Sequence, residues 1–173
     1  MVMEREVKLR IEDYNSLVRE LKRLGAKLKS RREQVDYYLD FQDNRLKNSG
    51  SSLRIRQEGG SCYITFKGKL LNDEVKSREE LETNVGDCKV VLDILNRLGI
   101  ANKIIVKKER ESYVLNEIIV EVDKVEGLGN FIEIEIVDQI KLQNVKKLVN
   151  DLKIDWMPIK VGYADMLSEI MKP

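Results

Sequence analysis

Met3-Glu4-Arg5-Glu6-Val7-Lys8-Leu9-Arg10-Ile11 changes character at every step. In an extended chain Glu4, Glu6, Lys8 and Arg10 fall on one face, and Met3, Val7, Leu9 and Ile11 fall mostly on the other. A period of two marks a strand. The charged face is unusual in mixing acids with bases, and the same mixture recurs downstream. Gln34, Asp36, Tyr38 and Asp40 share a face, as do Arg54 and Arg56. So do Lys76, Arg78, Glu80 and Glu82, then Lys108 and Arg110, Glu121 and Asp123, and Glu133 and Glu135. The opposite faces supply Val7, Leu9, Leu53, Ile55, Ile64, Phe66, Ile132, Ile134 and Ile136.

A single such strand is better explained by a half-solvated antiparallel sheet, with charges toward water and apolar residues under helices. Repetition over about eight strands changes that reading, because so many strands curl into a barrel or pack as a sandwich. If they close with the apolar face outward, the charged faces line an internal tunnel. Two unit charges about 4 Å apart interact by about 4 kcal/mol at an effective dielectric near 20. Clustered like charges therefore need counter-charges. Carboxylates beside basic groups suit a divalent metal together with a polyanion, such as a Mg²⁺-bound triphosphate.

Helices punctuate the strands. Asp13 caps one carrying Leu17, Val18, Leu21 and Leu24 and ending at Gly25. Asp87 caps a second carrying Val91, Leu92, Leu95 and Leu98 and closed by Gly99. Two more are expected near 142–152 and 163–171, separated by a turn at Pro158. The expected strands span 3–11, 28–41, 52–58, 62–67, 74–83, 103–114, 117–125 and 130–138, with a hairpin at Gly59-Gly60 and a loop over 44–52. The stretch from Glu6 to Ala26 aligns without a gap with the stretch from Glu80 to Ile100. Each runs strand, capping Asp, amphipathic helix, Leu-Gly. This echo suggests two related halves of one sheet, and no linker divides residues 1–173, so one domain is expected.

Composition bounds the chemistry. The chain has 173 residues, 42% of them hydrophobic, which is enough for a packed core. Its 31 basic and 30 acidic residues leave a net charge of +1, so nucleic-acid binding through a basic excess is not expected. No apolar run reaches membrane-spanning length and the N-terminus lacks a signal-peptide core, so a cytoplasmic protein is expected. Cys62 and Cys88 are too few for a disulfide framework and read as ordinary buried or half-buried thiols. There is no histidine. That removes Ser-His-Asp and Cys-His catalysis and imidazole zinc sites, and leaves hard, oxygen-bound cations.

The start, Glu4-Arg5-Glu6-Val7-Lys8, resembles the ExExK signature of the CYTH, or triphosphate tunnel metalloenzyme, superfamily. Further similarities follow in order: DYYLD (36–40), LRIR with Arg54 and Arg56, ITFKG with Lys67, SREELE with Arg78, KKER with Lys108 and Arg110, and VDKVEGLGNFIEIEI with Glu133 and Glu135. The later GYADML looks like the family's final Tyr-initiated helix. The ordered set covers nearly the whole chain.

The resemblance implies an α+β fold: a closed eight-stranded antiparallel β-barrel, open as a tunnel, with surrounding helices. It implies that Glu4, Glu6, Glu133 and Glu135, assisted by Asp123, hold Mg²⁺ or Mn²⁺. It also implies that Lys8, Arg54, Arg56, Lys67, Arg78, Lys108 and Arg110 contact phosphate oxygens. Lys8 beside Glu4 and Glu6, or a metal-bound hydroxide, is the expected activating group. Of Lys107 and Lys108, the spacing to Arg110 favours Lys108 as the inward one. The expected activity is hydrolysis of tripolyphosphate, ATP or another nucleoside triphosphate, or thiamine triphosphate. The alternatives are class IV adenylyl cyclase chemistry and a non-catalytic polyphosphate- or nucleotide-binding module. A monomer or homodimer that needs neither nucleic acid nor membrane is expected.

Overall fold

The computed structural model describes residues 2–71, 74–137 and 141–173. In chain order its elements are β1 (Val2–Ile11), α1 (Tyr14–Arg23), β2 (Lys27–Phe41), α2 (Arg45–Asn48), β3 (Ser52–Glu58), β4 (Ser61–Lys67), β5 (Lys76–Val85), α3 (Cys88–Arg97), β6 (Ile100–Leu115), β7 (Ile118–Val125), β8 (Gly129–Glu135), α4 (Leu142–Asp151) and α5 (Tyr163–Ile170). The strands close into one antiparallel barrel in the order β1-β5-β4-β3-β2-β6-β7-β8. Exchanging β1–β4 with β5–β8 leaves this ring unchanged, so the sequence echo corresponds to a topological two-fold.

The two strand–helix units repeat in detail. Asp13 accepts from the Ser16 amide at 2.9 Å and Asp87 from the Val90 amide at 3.0 Å, each three residues on. Gly25 and Gly99 both follow their helices at positive φ, 87° and 84°, where a Cβ would be strained.

The apolar strand faces point outward under helices. Val7, Leu9, Val120, Val122, Ile132 and Ile134 pack against Leu17 and Leu21 of α1 and Val145, Leu148 and Val149 of α4. On the opposite wall Leu39, Ile55 and Cys62 meet Val91, Leu92 and Leu95 of α3, while Leu98 stays exposed. A third cluster, Val106, Val125, Leu128, Phe131 and Tyr163, differs. Val106, Val125 and Phe131 share the inward parity of Lys108, Asp123 and Glu133. They fill one end of the barrel beneath α5, so the interior is stoppered there rather than open at both ends.

Three local expectations change. The loop expected over 44–52 contains the single turn α2, because Asp40 accepts the Leu46 and Lys47 amides at 3.0 and 2.9 Å. Asp40 is thereby engaged outside the cavity wall. Cys62 and Cys88 are not free thiols but a disulfide. Cys88 opens α3, which packs against β6 and β3, and there it comes beside Cys62 of the adjoining β4, with the two Cα atoms at 5.4 Å, within bridging range. The last strand ends at Glu135, and Asp138, in which the expected strand ended, lies outside the described residues. No helix among the described residues is long and apolar enough to cross a membrane.

Candidate functional site

The inward faces enclose a cavity of about 350 Å³. Eleven of the twelve residues named from the sequence line it: Glu4, Glu6 and Lys8 from β1, Arg54 and Arg56 from β3, Lys67 from β4, Arg78 from β5, Lys108 and Arg110 from β6, and Glu133 and Glu135 from β8. Lys107 is exposed and Lys108 buried, as strand parity requires. The twelfth, Asp123, is also on the inner face but is covered by Lys108, Arg110 and Tyr163.

Register dictates who meets whom. Glu4 lies opposite Arg78, Glu6 opposite both Lys76 and Glu135, and Lys8 opposite Glu133. Lys67 contacts Glu4 at 2.7 Å and Glu80 at 2.8 Å, and Arg78 reaches Glu4 at 3.1 Å. Lys76 is paired with Glu6, and Lys8 lies 3.1 Å from Glu133. Arg110 also bonds Glu133. Arg56 grips Asp36 through two contacts of 2.7 Å.

Asp123 is fully buried (0% exposed), and donors surround it. Arg110 approaches its two oxygens at 2.6 Å each, Lys108 at 3.2 Å, and the Tyr163 hydroxyl donates to it at 2.9 Å. Its carboxyl is held low against the cost of burial by Lys108 and Arg110. Both oxygens are occupied, so Asp123 orients two cations instead of presenting a free ligand to the cavity.

Burial pulls Lys8 below the ordinary lysine range, although Glu133 opposes it. Burial, with Arg110 adding repulsion, brings Lys108 down to about 8. The carboxyls divide into two kinds. Burial would raise Glu4 and Glu133, but Lys67, Lys76 and Arg78 for the first, and Lys8 and Arg110 for the second, hold them well below their usual range. Glu135 goes the other way, raised by burial and then by Glu121 and Glu6. Glu6, Glu121 and Glu135 thus crowd like charge on that side of the wall.

This is the chemistry a hard dication relieves, and oxygen donors, carboxylates among them, are what such ions prefer. The donor set fits Mg²⁺ or Mn²⁺, and Glu4, Glu6, Glu133 and Glu135 are the residues that would hold it. Among the described residues no three carboxylates converge closely enough to form the site as they stand. Lysine and arginine contacts have to exchange for it.

Several cavity residues escaped the sequence reading. Arg32 and Glu58 lie one step of two beyond Gln34 and Arg56 on the same faces, so the parity rule could have found them. Tyr63 was implied by the outward Ile64. Tyr163 had no periodic signal: it arrives from α5 and seals the stoppered end, with Lys8 Nζ 3.9 Å and Lys108 Nζ 5.0 Å from its ring centre.

A closed barrel with acids and bases on its inner wall and helices outside is the architecture of the CYTH tunnel fold. The chain belongs to the CYTH domain family, whose model matches residues 3–154. A Methanocaldococcus jannaschii protein, provisionally named an adenylate cyclase, is 36% identical over 134 residues, covering 78% of this chain and 77% of that one. The PH1012 protein of Pyrococcus horikoshii superposes with a TM-score of 0.81 at 29% identity, covering 94% and 98% of the two chains. A Hippeastrum adenylyl cyclase candidate, described as having a dominant triphosphatase activity, shares the fold with a TM-score of 0.78 at 17% identity, covering 96% and 95%.

Proposed function

We propose that the protein is a divalent-metal-dependent triphosphatase, cleaving a terminal phosphoanhydride of a triphosphate held inside the barrel. The observation that carries this reading is the convergence of Lys8, Arg54, Arg56, Lys67, Arg78, Lys108 and Arg110 on one enclosed cavity that also holds Glu4, Glu6, Glu133 and Glu135. A polyanion binder needs only the basic half of that set.

Phosphoryl transfer depends on positioning and charge stabilisation more than on covalent catalysis. Arg54 and Arg56 offer fork-shaped contacts to phosphate oxygens, and the lysines supply compact charge. Because Tyr163 and its apolar neighbours seal one end, any organic substituent must point to the other mouth. The outermost phosphate therefore lies inward, toward Lys8 and Lys108. The bound Mg²⁺ or Mn²⁺ would neutralise polyphosphate charge and lower the pKa of attacking water. Asp123 keeps Arg110 and Lys108 aimed at the same space.

Cyclisation of ATP is the second reading, and the provisional name of the Methanocaldococcus jannaschii relative favours it. It would require the ribose hydroxyl to attack the α-phosphorus with water excluded, and here the α-phosphorus would lie toward the open mouth. Hydrolysis is the better supported. The test is to supply ATP with Mg²⁺ or Mn²⁺ and resolve ADP, phosphate, pyrophosphate and cyclic AMP, with inorganic tripolyphosphate in parallel. Cyclic AMP as the main product, with tripolyphosphate left intact, would replace the hydrolase with the cyclase.

A further inference from the structure

Four buried side-chain polar atoms have no hydrogen-bond partner among the described residues, and two of them lie together on β2: Oε1 of Gln34 and Nε of Arg32. The other two, on Arg54 and Glu80, belong to the charged grip already described. Gln34 is 2% exposed and faces the cavity. Its amide nitrogen donates to the Glu58 carboxylate. An ionised carboxylate only accepts, so this contact fixes which way the amide points and leaves Oε1 as an open acceptor. The terminal nitrogens of Arg32 are also held, one by Ser112 with Glu121 at 3.3 Å and the other by Glu58 at 3.6 Å. That leaves Nε as an open donor.

A fixed acceptor and a fixed donor thus stand two residues apart on one strand face, about 7 Å between Cα atoms. Leaving such groups unpaired is unfavourable, so a ligand that pairs both is selected over one that cannot. From Asp36, opposite the plug residue Val106, β2 runs through Gln34, opposite Lys108, out to Arg32, opposite Arg110, and so leads toward the mouth from which the substituent of an inward-pointing triphosphate has to emerge. We propose that Arg32 and Gln34 are specificity-determining residues that read the edge of a nitrogen heterocycle carried on the triphosphate. Gln34 Oε1 accepts from an exocyclic amino group and Arg32 Nε donates to the adjacent ring nitrogen. Glu58 and Glu121 hold the readers in place. The inference rests on the triphosphate reading above, since the grip sets where the substituent lies.

Adenine presents an amino donor beside a ring-nitrogen acceptor, whereas hypoxanthine presents the reverse, a carbonyl acceptor beside a ring N–H. ATP and ITP therefore form a matched pair with the same triphosphate. The experiment is calorimetric binding of tripolyphosphate, ATP and ITP to the full chain, with Ca²⁺ as the dication to slow turnover. Wild type is expected to bind ATP about 10- to 100-fold more tightly than ITP. Gln34→Met is expected to bring that ratio near one, and Arg32→Lys to reduce it, so either variant reports if the other misfolds. Equal ATP and ITP affinities in wild type, alongside firm tripolyphosphate binding, would overturn the proposal and leave the triphosphate reading intact. So would a ratio that survives both substitutions, or a Gln34→Met variant that loses tripolyphosphate as much as ATP, which would assign Gln34 to the phosphate grip. Absence of tripolyphosphate and nucleotide binding altogether would remove the triphosphate reading and this inference with it.

Discussion

Arg110 meets Asp123 through two hydrogen bonds of 2.6 Å each, between residues directly paired on β6 and β7. The topological two-fold puts a counterpart across the barrel with the signs exchanged: Asp36 on β2 receives Arg56 from β3 through two contacts of 2.7 Å. In both places an aspartate removed from water fixes an arginine that borders the cavity.

Removing Asp123 should therefore be costly. We expect Asp123→Ala to lose about 3–5 kcal/mol of stability, because Arg110 and Lys108 are left buried without their partner. Urea unfolding measures it. A loss below about 1 kcal/mol would show that water or other carboxylates replace Asp123 readily.

The metal assignment predicts a different pattern for the lining carboxylates. Glu4→Gln and Glu6→Gln should abolish divalent-dependent turnover while leaving the barrel folded, and chelation should do the same to wild type. Mn²⁺ titration by calorimetry, independent of turnover, should show weakened binding in both variants. Full activity of the double variant would sink the assignment.

Lys108 gives a pH dependence. With its pKa brought to about 8 in the folded protein, against 10.5 ordinarily, it is charged below pH 8 and neutral above. Phosphate prefers the charged form, so tripolyphosphate affinity should fall as pH rises from 7 to 9. The fall should flatten in Lys108→Arg, which stays charged. Stability of the free protein moves the opposite way: between about 8 and 10.5 the unfolded chain binds more protons at this site, so its contribution to stability rises with pH. Affinity that is flat across this range in wild type would contradict the assignment.

The disulfide closes a span of 26 residues between β4 and α3. Chain-entropy arguments put its contribution at about 3 kcal/mol. Cys88→Ser, or a strong reductant, should lower the unfolding free energy by about that amount. Such bridges are at home in oxidising compartments and also inside hyperthermophile cells, so the bridge is compatible with the expected cytoplasmic setting only in the second case. Unchanged stability on reduction would mean that α3 is held by its apolar face alone.

Alternation made most of the site legible. Once Glu4, Glu6 and Lys8 share a face, every second residue along the remaining strands follows, and the same rule extended by one step reaches Arg32 and Glu58. Parity cannot say what a remote segment does: the GYADML resemblance pointed to a Tyr-initiated helix, but not to Tyr163 lining the cavity. Nor could it separate inward Val106, Val125 and Phe131 from outward apolar residues, since all are simply apolar letters in a strand. The Cys62–Cys88 bridge depends on where α3 docks, which is a matter of three-dimensional packing. The shared carboxylate of Asp123 likewise becomes visible only when β6, β7 and α5 are brought together.

The apolar plug of Val106, Val125, Phe131 and Tyr163 turns the barrel into a cul-de-sac. A chamber with one door imposes traffic rules. If the outermost phosphate is cut at the blind end, the freed orthophosphate is trapped behind the remaining diphosphate and must wait for it to depart. Release would then be sequential, diphosphate first, and added diphosphate would inhibit by blocking the exit as well as by occupying the grip. Leu128 and Phe131, with no group that binds phosphate, would set the pace of the cycle by keeping that back wall shut.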